Sequence, residues 1–245
     1  NPCRDVRTFK REAGKASLVQ RPWNLKESRA AVQASKGTAL QIIVPLALHT
    51  GLRRGEILGL KWGDYSYENN TLSISRSIVS SRSYSNGKMH SGPHEQSPKT
   101  SASIRSIYCD KAVERLLLHA RRGFVGVHGR LPNVDDYLVI SESGYRFDPS
   151  AVGKLFRKFC IQNQLRPIRF HDMRHTAAVL ALEAGVPIEA VSDAFGHSGV
   201  EITKRTYAPH VAGLSKRFAI ELANYLDVAE SGATDEELRA VASRV

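Results

Sequence analysis

The chain reads as an α+β protein built mainly from helices, with a small sheet set into its first half. Three observations predict this. Apolar residues recur at helical spacing between Asn24 and Leu60 and again from Asp110 onward. Between Trp62 and Cys109 the period shortens to two: Leu72, Ile74 and Ile78 alternate with polar residues after the turn-like Glu68-Asn69-Asn70, and Ile104 and Ile107 mark a second strand. Capping and breaking residues bracket the helical stretches.

In chain order, residues 1–22 are polar and basic without a sustained period, and are expected to form a linker from an upstream domain. Asn1 in place of an initiator Met fits a domain cut from a longer protein. Asn24 and Glu27 make an N-cap and N3 pair ahead of Leu25, Ala30 and Val32. Thr38 is expected to cap an apolar helix over 39–50, kinked or broken at Pro45, which has no N–H to donate. Gly51 ends that helix. Arg53 then sits at a helix start beside a glycine turn, with Glu56 one turn on to hold its guanidinium. Ser80 to Ser97, rich in Ser, Gly, Pro and His, reads as a mobile loop.

Asp110 caps a helix through Arg122 with Val113, Leu116, Leu117 and Ala120 inward, and Arg121 to Arg130 reads as a basic, glycine-rich loop. Tyr137 to Ile140 is expected to be a short strand and Glu142-Ser143-Gly144 a turn. Asp148-Pro149 opens a helix through Gln162 that buries Val152, Leu155, Phe156 and Phe159. His171 and Arg174 share the first turn of a helix marked by Met173, Ala177, Leu180 and Ala184, which stops at Gly185. Backbone N–H groups at such a helix start favour an anion, and Arg174 adds a bidentate clamp suited to phosphate. Pro187 opens a shorter helix leading to Phe195-Gly196-His197, and a further segment delivers Tyr207. Residues 211–226 read as one more helix and 227–245 as a tail.

Composition narrows the partners. The 245 residues suffice for one large domain or two small ones, and 35 Lys+Arg against 24 Asp+Glu leave a net charge of +11. That excess points to nucleic acid before membrane, because the sequence has no Lys-rich amphipathic helix and no long apolar run. Cys3, Cys109 and Cys160 lie far apart without a Cys-x-x-Cys, so neither a disulfide framework nor a cysteine zinc site is indicated. With no signal peptide recognised, a reducing cytoplasm is the expected setting.

The order His171-x-x-Arg174, Gly196-His197 and Tyr207 before Ala208-Pro209-His210 resembles the carboxy-terminal box of the tyrosine recombinases, the phage integrase family. Two upstream words agree. Thr50-Gly51-Leu52-Arg53-x-Gly55-Glu56-x-x-x-Leu60 resembles the family's first arginine box, and Ser97-Pro98-Lys99-Thr100 followed by Ser103-x-Arg105 resembles its lysine turn. The resemblance runs over residues 23–226 and implies the family's catalytic domain, mostly α-helical with a small antiparallel sheet. It implies six catalytic positions, Arg53, Lys99, His171, Arg174, His197 and Tyr207, with Glu56 in support. Phe195 departs from the common aliphatic residue, and Pro209 lies between Tyr207 and His210.

Phosphodiester chemistry gives each position a role. A tyrosine with a pKa near ~10 is a poor nucleophile until it loses its proton or is brought in line with phosphorus. His171 is the candidate base, Arg53 and Arg174 hold the non-bridging oxygens, His197 donates as charge builds, and Lys99 protonates the departing 5′-oxygen. The resemblance implies a 3′-phosphotyrosine link, a Holliday junction, attachment sites in double-stranded DNA, a tetramer of like protomers, and accessory DNA-bending proteins. It implies a bacterial or phage-infected host, with no metal or nucleotide cofactor. Arg76, Arg82, Lys88, Arg121, Arg122 and Arg130 are the expected phosphate contacts.

Three alternatives fit part of the pattern. His171 and His175 have metal-ligand spacing, but Asp172 replaces the glutamate of a zincin motif and Arg174 would repel the ion. A DNA-binding regulator would keep the fold and lose catalysis, and a type IB topoisomerase would share the chemistry but simply relax supercoils. In the tail, Thr234-Asp235-Glu236-Glu237 has the form of a capping box before Leu238, Val241, Ala242 and Val245. In the resembling family such segments dock on a neighbouring protomer; docking on its own domain or a disordered tail is the alternative here.

Overall fold

The computed structural model describes residues 21–85, 88–97 and 104–196. Lys99, His197, Tyr207, the expected helix over 211–226 and the tail lie outside them, as do residues 1–20 of the expected linker.

The first helix, α1 (Leu25–Ser35), starts where Asn24 and Glu27 predict. Asn24 Oδ1 accepts from the Glu27 N–H and the Glu27 carboxylate accepts from the Asn24 N–H, both at 2.8 Å. The buried face is not the expected one. Ser28, Ala31 and Ser35 turn inward, whereas Leu25 is 51% exposed and Ala30 faces solvent. Each serine hydroxyl donates to a carbonyl of its own helix, Ser28 to Asn24 and Ser35 to Val32, so small residues can be buried without an orphaned polar group. Trp23, just before the cap, is buried, and its N–H donates to Thr176 Oγ1 at 3.1 Å.

The apolar segment after Thr38 corrects the expected helix. Residues 39–42 form turns, and α2 (Ile43–Thr50) places Pro45 in its first turn, where a missing N–H breaks no intrahelical bond. Six of its eight residues are buried, and α1, α3 (Arg54–Gly59), α4 (Lys111–His128) and α6 (Asp172–Glu183) all pack against it, so α2 is the central pillar. Gly51 caps it in the left-handed region at φ 63°.

A short 3₁₀ turn, Trp62–Asp64, leads into an antiparallel sheet of β1 (Tyr65–Ser66), β2 (Thr71–Ile74) and β5 (Arg105–Tyr108), in the order β1-β2-β5 with Leu72 opposite Ile107. Ile104 lies just ahead of β5 and is 59% exposed, so only Ile107 of the expected pair is a strand residue. The predicted loop over Ser80 to Ser97 is instead mostly a hairpin. β3 (Ser77–Ser85) and β4 (Lys88–Gln96) pair from Ser77↔Gln96 to Ser85↔Lys88. Its base is tethered to the body: Glu95 pairs with Lys61 at 3.2 Å and accepts from the Tyr137 hydroxyl, while Arg146 donates to the Pro93 carbonyl at 2.7 Å. Gly55 lets β3 lie against α3, because a Cβ there would stand 2.5 Å from the Ile78 carbonyl oxygen.

α4 (Lys111–His128) begins as predicted, with Asp110 accepting from the Val113 N–H at 2.8 Å, but runs six residues past Arg122 through the segment read as a loop. Val113, Leu117, Ala120 and Phe124 form one buried stripe. Burying Phe124 contributes about 1.5–3 kcal/mol, which offsets the roughly 1 kcal/mol that each of Gly123 and Gly126 costs in a helix. Tyr137 to Ile140 is no strand. It makes only isolated bridges, Lys61↔Tyr137 and Ile140↔Arg146. α5 (Pro149–Gln162) is capped by Asp148, as expected. α6 (Asp172–Glu183) and α7 (Ile188–Phe195) share a small cluster of their own, in which Val191 and Phe195 pack near Ala178 and Leu182.

Candidate active site

Arg53 stands at the corner between α2 and α3, as N-cap of the second. Its N–H donates to Glu56 Oε2 and its Nη1 to Glu56 Oε1, both at 2.8 Å, so one carboxylate holds both the backbone and the guanidinium of Arg53. Glu56 also receives a guanidinium that the sequence reading left without a role. Arg105 donates from Nη2 to Oε2 at 3.0 Å and from Nη1 to Oε1 at 3.3 Å. Burial alone would push the Glu56 carboxyl up, but the bonds from Arg105 and Arg53 outweigh it and hold the group below the usual carboxylate range.

Arg174, in the first turn of α6, is 4% exposed. It donates from Nη1 to the Gly51 carbonyl at 2.7 Å and from Nη2 to the Phe195 carbonyl at 2.6 Å, and lies 4.3 Å from the Phe195 ring centroid. The aromatic residue at 195 thus has a physical partner. The anion at the start of α6 is already supplied by the chain: Asp172 is buried and accepts from the Arg169 N–H at 2.8 Å and Nη2 at 2.7 Å. That commitment also turns Asp172 away from the role a zincin glutamate would play.

His171 is the N-cap of α6 and its ring reaches solvent. The protein packed around it, then the charges of His175, Arg174 and Arg53, lower its pKa below the ordinary value, so at neutral pH its ring is free to take up a proton. His175 meets it edge-on with ring centroids 5.3 Å apart, and its pKa is lowered too, chiefly by desolvation. Both shifts disfavour the charged form in the folded state. The stability they carry is present above the unfolded histidine pKa of about 6.5 and is lost as pH falls through the lower folded values. The urea midpoint is therefore expected to drop between pH 7.5 and pH 5, and to drop less in His175→Gln; an equal drop in both proteins would remove these histidines as the cause.

Arg53 and His171 line one open cleft of about 930 Å³ between α3, the start of β3, α5 and the segment before α6. Its other charged lining residues are Arg54, Arg157 and Arg169, and among the described residues no carboxylate is in the lining. None of these three was singled out from sequence. The expected phosphate contacts are placed differently. Arg76 is spent on Asp64 and sits 3.9 Å from Glu95, and Arg130 grips Asp136 at 2.6 and 2.9 Å, holding that carboxyl down to about 2. Arg121 and Arg122 lie on α4, away from the cleft lining; Arg82 and Lys88 lie on the hairpin, with side chains outside the described set.

The arginine-lined cleft holding Arg53 and His171 lies in the part of the chain that a known family covers: residues 24–212 match the model of the phage integrase family. The chain belongs to that family. As a phage integrase family member it is 32% identical, over 208 residues, to a tyrosine recombinase XerC-like protein of Caldanaerobacter subterraneus subsp. tengcongensis, covering 82% of this chain and 53% of that one. It is 26% identical over 232 residues to the ICEBs1 integrase of Bacillus subtilis, covering 92% and 59%. The chain thus spans about half the length of these relatives. Among solved structures, the Tn1549 transposon integrase in complex with transposon right end DNA superposes with a TM-score of 0.68 at 20% identity, covering 84% of this chain and 68% of that one. XerA recombinase does so at 0.62 and 17%, covering 81% and 65%. These two share the fold.

Proposed function

We propose that this chain is the catalytic part of a site-specific DNA recombinase that integrates or excises mobile DNA. The observation that carries this reading is the convergence of Arg53 and His171 on one cleft lined by further arginines, with Arg174 fixed against the ends of α2 and α7. The reaction runs as a transesterification. Tyr207 Oη attacks the scissile phosphorus and gives its proton to His171. The bond to the 5′-oxygen breaks, and Lys99 supplies the proton that this oxygen takes up. Arg53, Arg174 and His197 stabilise the charge on the non-bridging oxygens. A 3′-phosphotyrosine remains, and attack by a 5′-hydroxyl of a partner duplex rejoins the strands. Like protomers assemble on paired sites, and DNA-bending proteins are the expected accessories. Among the described residues no helix is long and apolar enough to cross a membrane.

The test is incubation with a randomised pool of nicked duplexes, followed by denaturing gels. A shifted, protease-sensitive DNA band is expected, and the recovered sequence supplies a substrate for strand transfer between two duplexes. DNA that binds but never becomes covalently attached would leave only a binding protein.

Affinity should track the cleft. Neutralising Arg54 or Arg157 should reduce the slope of log affinity against log salt by about 0.9 for each phosphate that is no longer neutralised. Arg76→Gln and Arg130→Gln should leave the slope nearly unchanged, because those charges are committed to carboxylates of the chain. Unchanged slopes for the cleft variants with reduced slopes for the other pair would return phosphate binding to the positions read from sequence.

A further inference from the structure

Arg105 is 8% exposed at its side chain, as is Glu56, and its contacts reach two places that the sequence keeps far apart. Two of its nitrogens hold the carboxylate that orients Arg53, and its Nε donates to the Ala194 carbonyl at 2.8 Å. Ala194 lies in the last turn of α7, where the helix dipole end is negative, a natural seat for a guanidinium. The neighbouring Phe195 carbonyl is held by Arg174, which also holds Gly51, two residues before Arg53. The chain of contacts thus closes on itself: Arg53, Glu56, Arg105, the end of α7, Arg174 and the end of α2. Arg105 also opens β5, paired with Ile74.

We propose that Arg105 is a positioning residue for the recombination reaction: it sets the Arg53 guanidinium through Glu56 and fixes the end of α7, from which the chain continues into Gly196 and His197. This rests on the recombinase reading above. A lysine cannot replace it, since one ammonium lacks the planar fork that spans a carboxylate and a carbonyl at once. Displacement of a phosphate clamp by about 1 Å costs about 10²-fold in rate.

The experiment compares Arg105→Lys with the unmodified chain on two forms of the duplex recovered from the pool, one with a normal scissile phosphate and one with methyl in place of a non-bridging oxygen. The neutral methylphosphonate needs less guanidinium charge, so a defect that acts through Arg53 shrinks on it. Expected is a loss of about 10²-fold in single-turnover cleavage on the phosphodiester, DNA affinity within about twofold, and a loss of under about tenfold on the methylphosphonate. A wild-type rate, or an equal loss on both substrates, overturns the proposal. If Arg105→Lys gives no cooperative melt, Glu56→Asp is measured in its place, since it keeps the charge and shortens the link; the same two patterns decide. An unmodified chain that forms no adduct on either duplex sinks the recombinase reading and the proposal with it, whereas an active chain indifferent to Arg105→Lys sinks the proposal alone.

Discussion

Tyr207→Phe is expected to bind DNA as the unmodified chain does and to form no covalent complex at all. The substitution removes one oxygen and leaves the ring, and that oxygen is the atom proposed to attack phosphorus. The measurement pairs a gel shift under native conditions with a denaturing gel of the same samples. Binding should agree within about twofold, with the shifted denatured band gone to the limit of detection. An adduct that persists would place the nucleophile elsewhere, and Tyr225 is the next tyrosine to replace.

Arg174→Ala is the second large effect, and it should appear in two observables at once. In catalysis, loss of a charge-stabilising donor at the phosphate costs on the order of 10²–10³ in rate. In stability, the Gly51 and Phe195 carbonyls each lose a buried donor, at roughly 1–3 kcal/mol apiece, and Phe195 loses the cation over its ring. In a chain of this size each kcal/mol lowers the melting temperature by about 2–4 °C. A variant that melts early yet, when assayed well below its melting point, cleaves at the normal rate would make Arg174 a structural residue and leave the phosphate to others.

How far the sequence could be read depended on where the stabilising contact lay. The caps at Asn24, Asp110 and Asp148 were legible because donor and acceptor sit three residues apart or fewer. So was the Arg53–Glu56 pair. The β3–β4 hairpin was not, because its strands carry serines, histidines and glycine where a half-buried strand would alternate apolar residues, and its anchors are Lys61, Tyr137 and Arg146, on other segments. The length of α4 was hidden for a related reason. Gly123 and Gly126 signalled a loop, and only Phe124 falling in line with Leu117 and Ala120 carries the helix through. Of the site, Arg53, His171 and Arg174 were named through the family words they stand in, while Arg105 could not be given a task, since neither Glu56 nor Ala194 is near it in sequence. Its place at the end of the Ser-x-Arg word was the available signal.

The cap at Gly51 shows that a short motif can be dictated from a distance. A Cβ at that position would stand 2.2 Å from Cε1 of Phe195. The glycine of the Thr-Gly-Leu-Arg word is therefore required by a ring at the far end of α7 as well as by its own backbone angle. A library that randomises residues 50–60 alone would return glycine every time and suggest a purely local rule. One that also shrinks residue 195 would remove the collision and leave only the milder preference of a left-handed turn, so the two positions would covary as a pair of interlocking shapes.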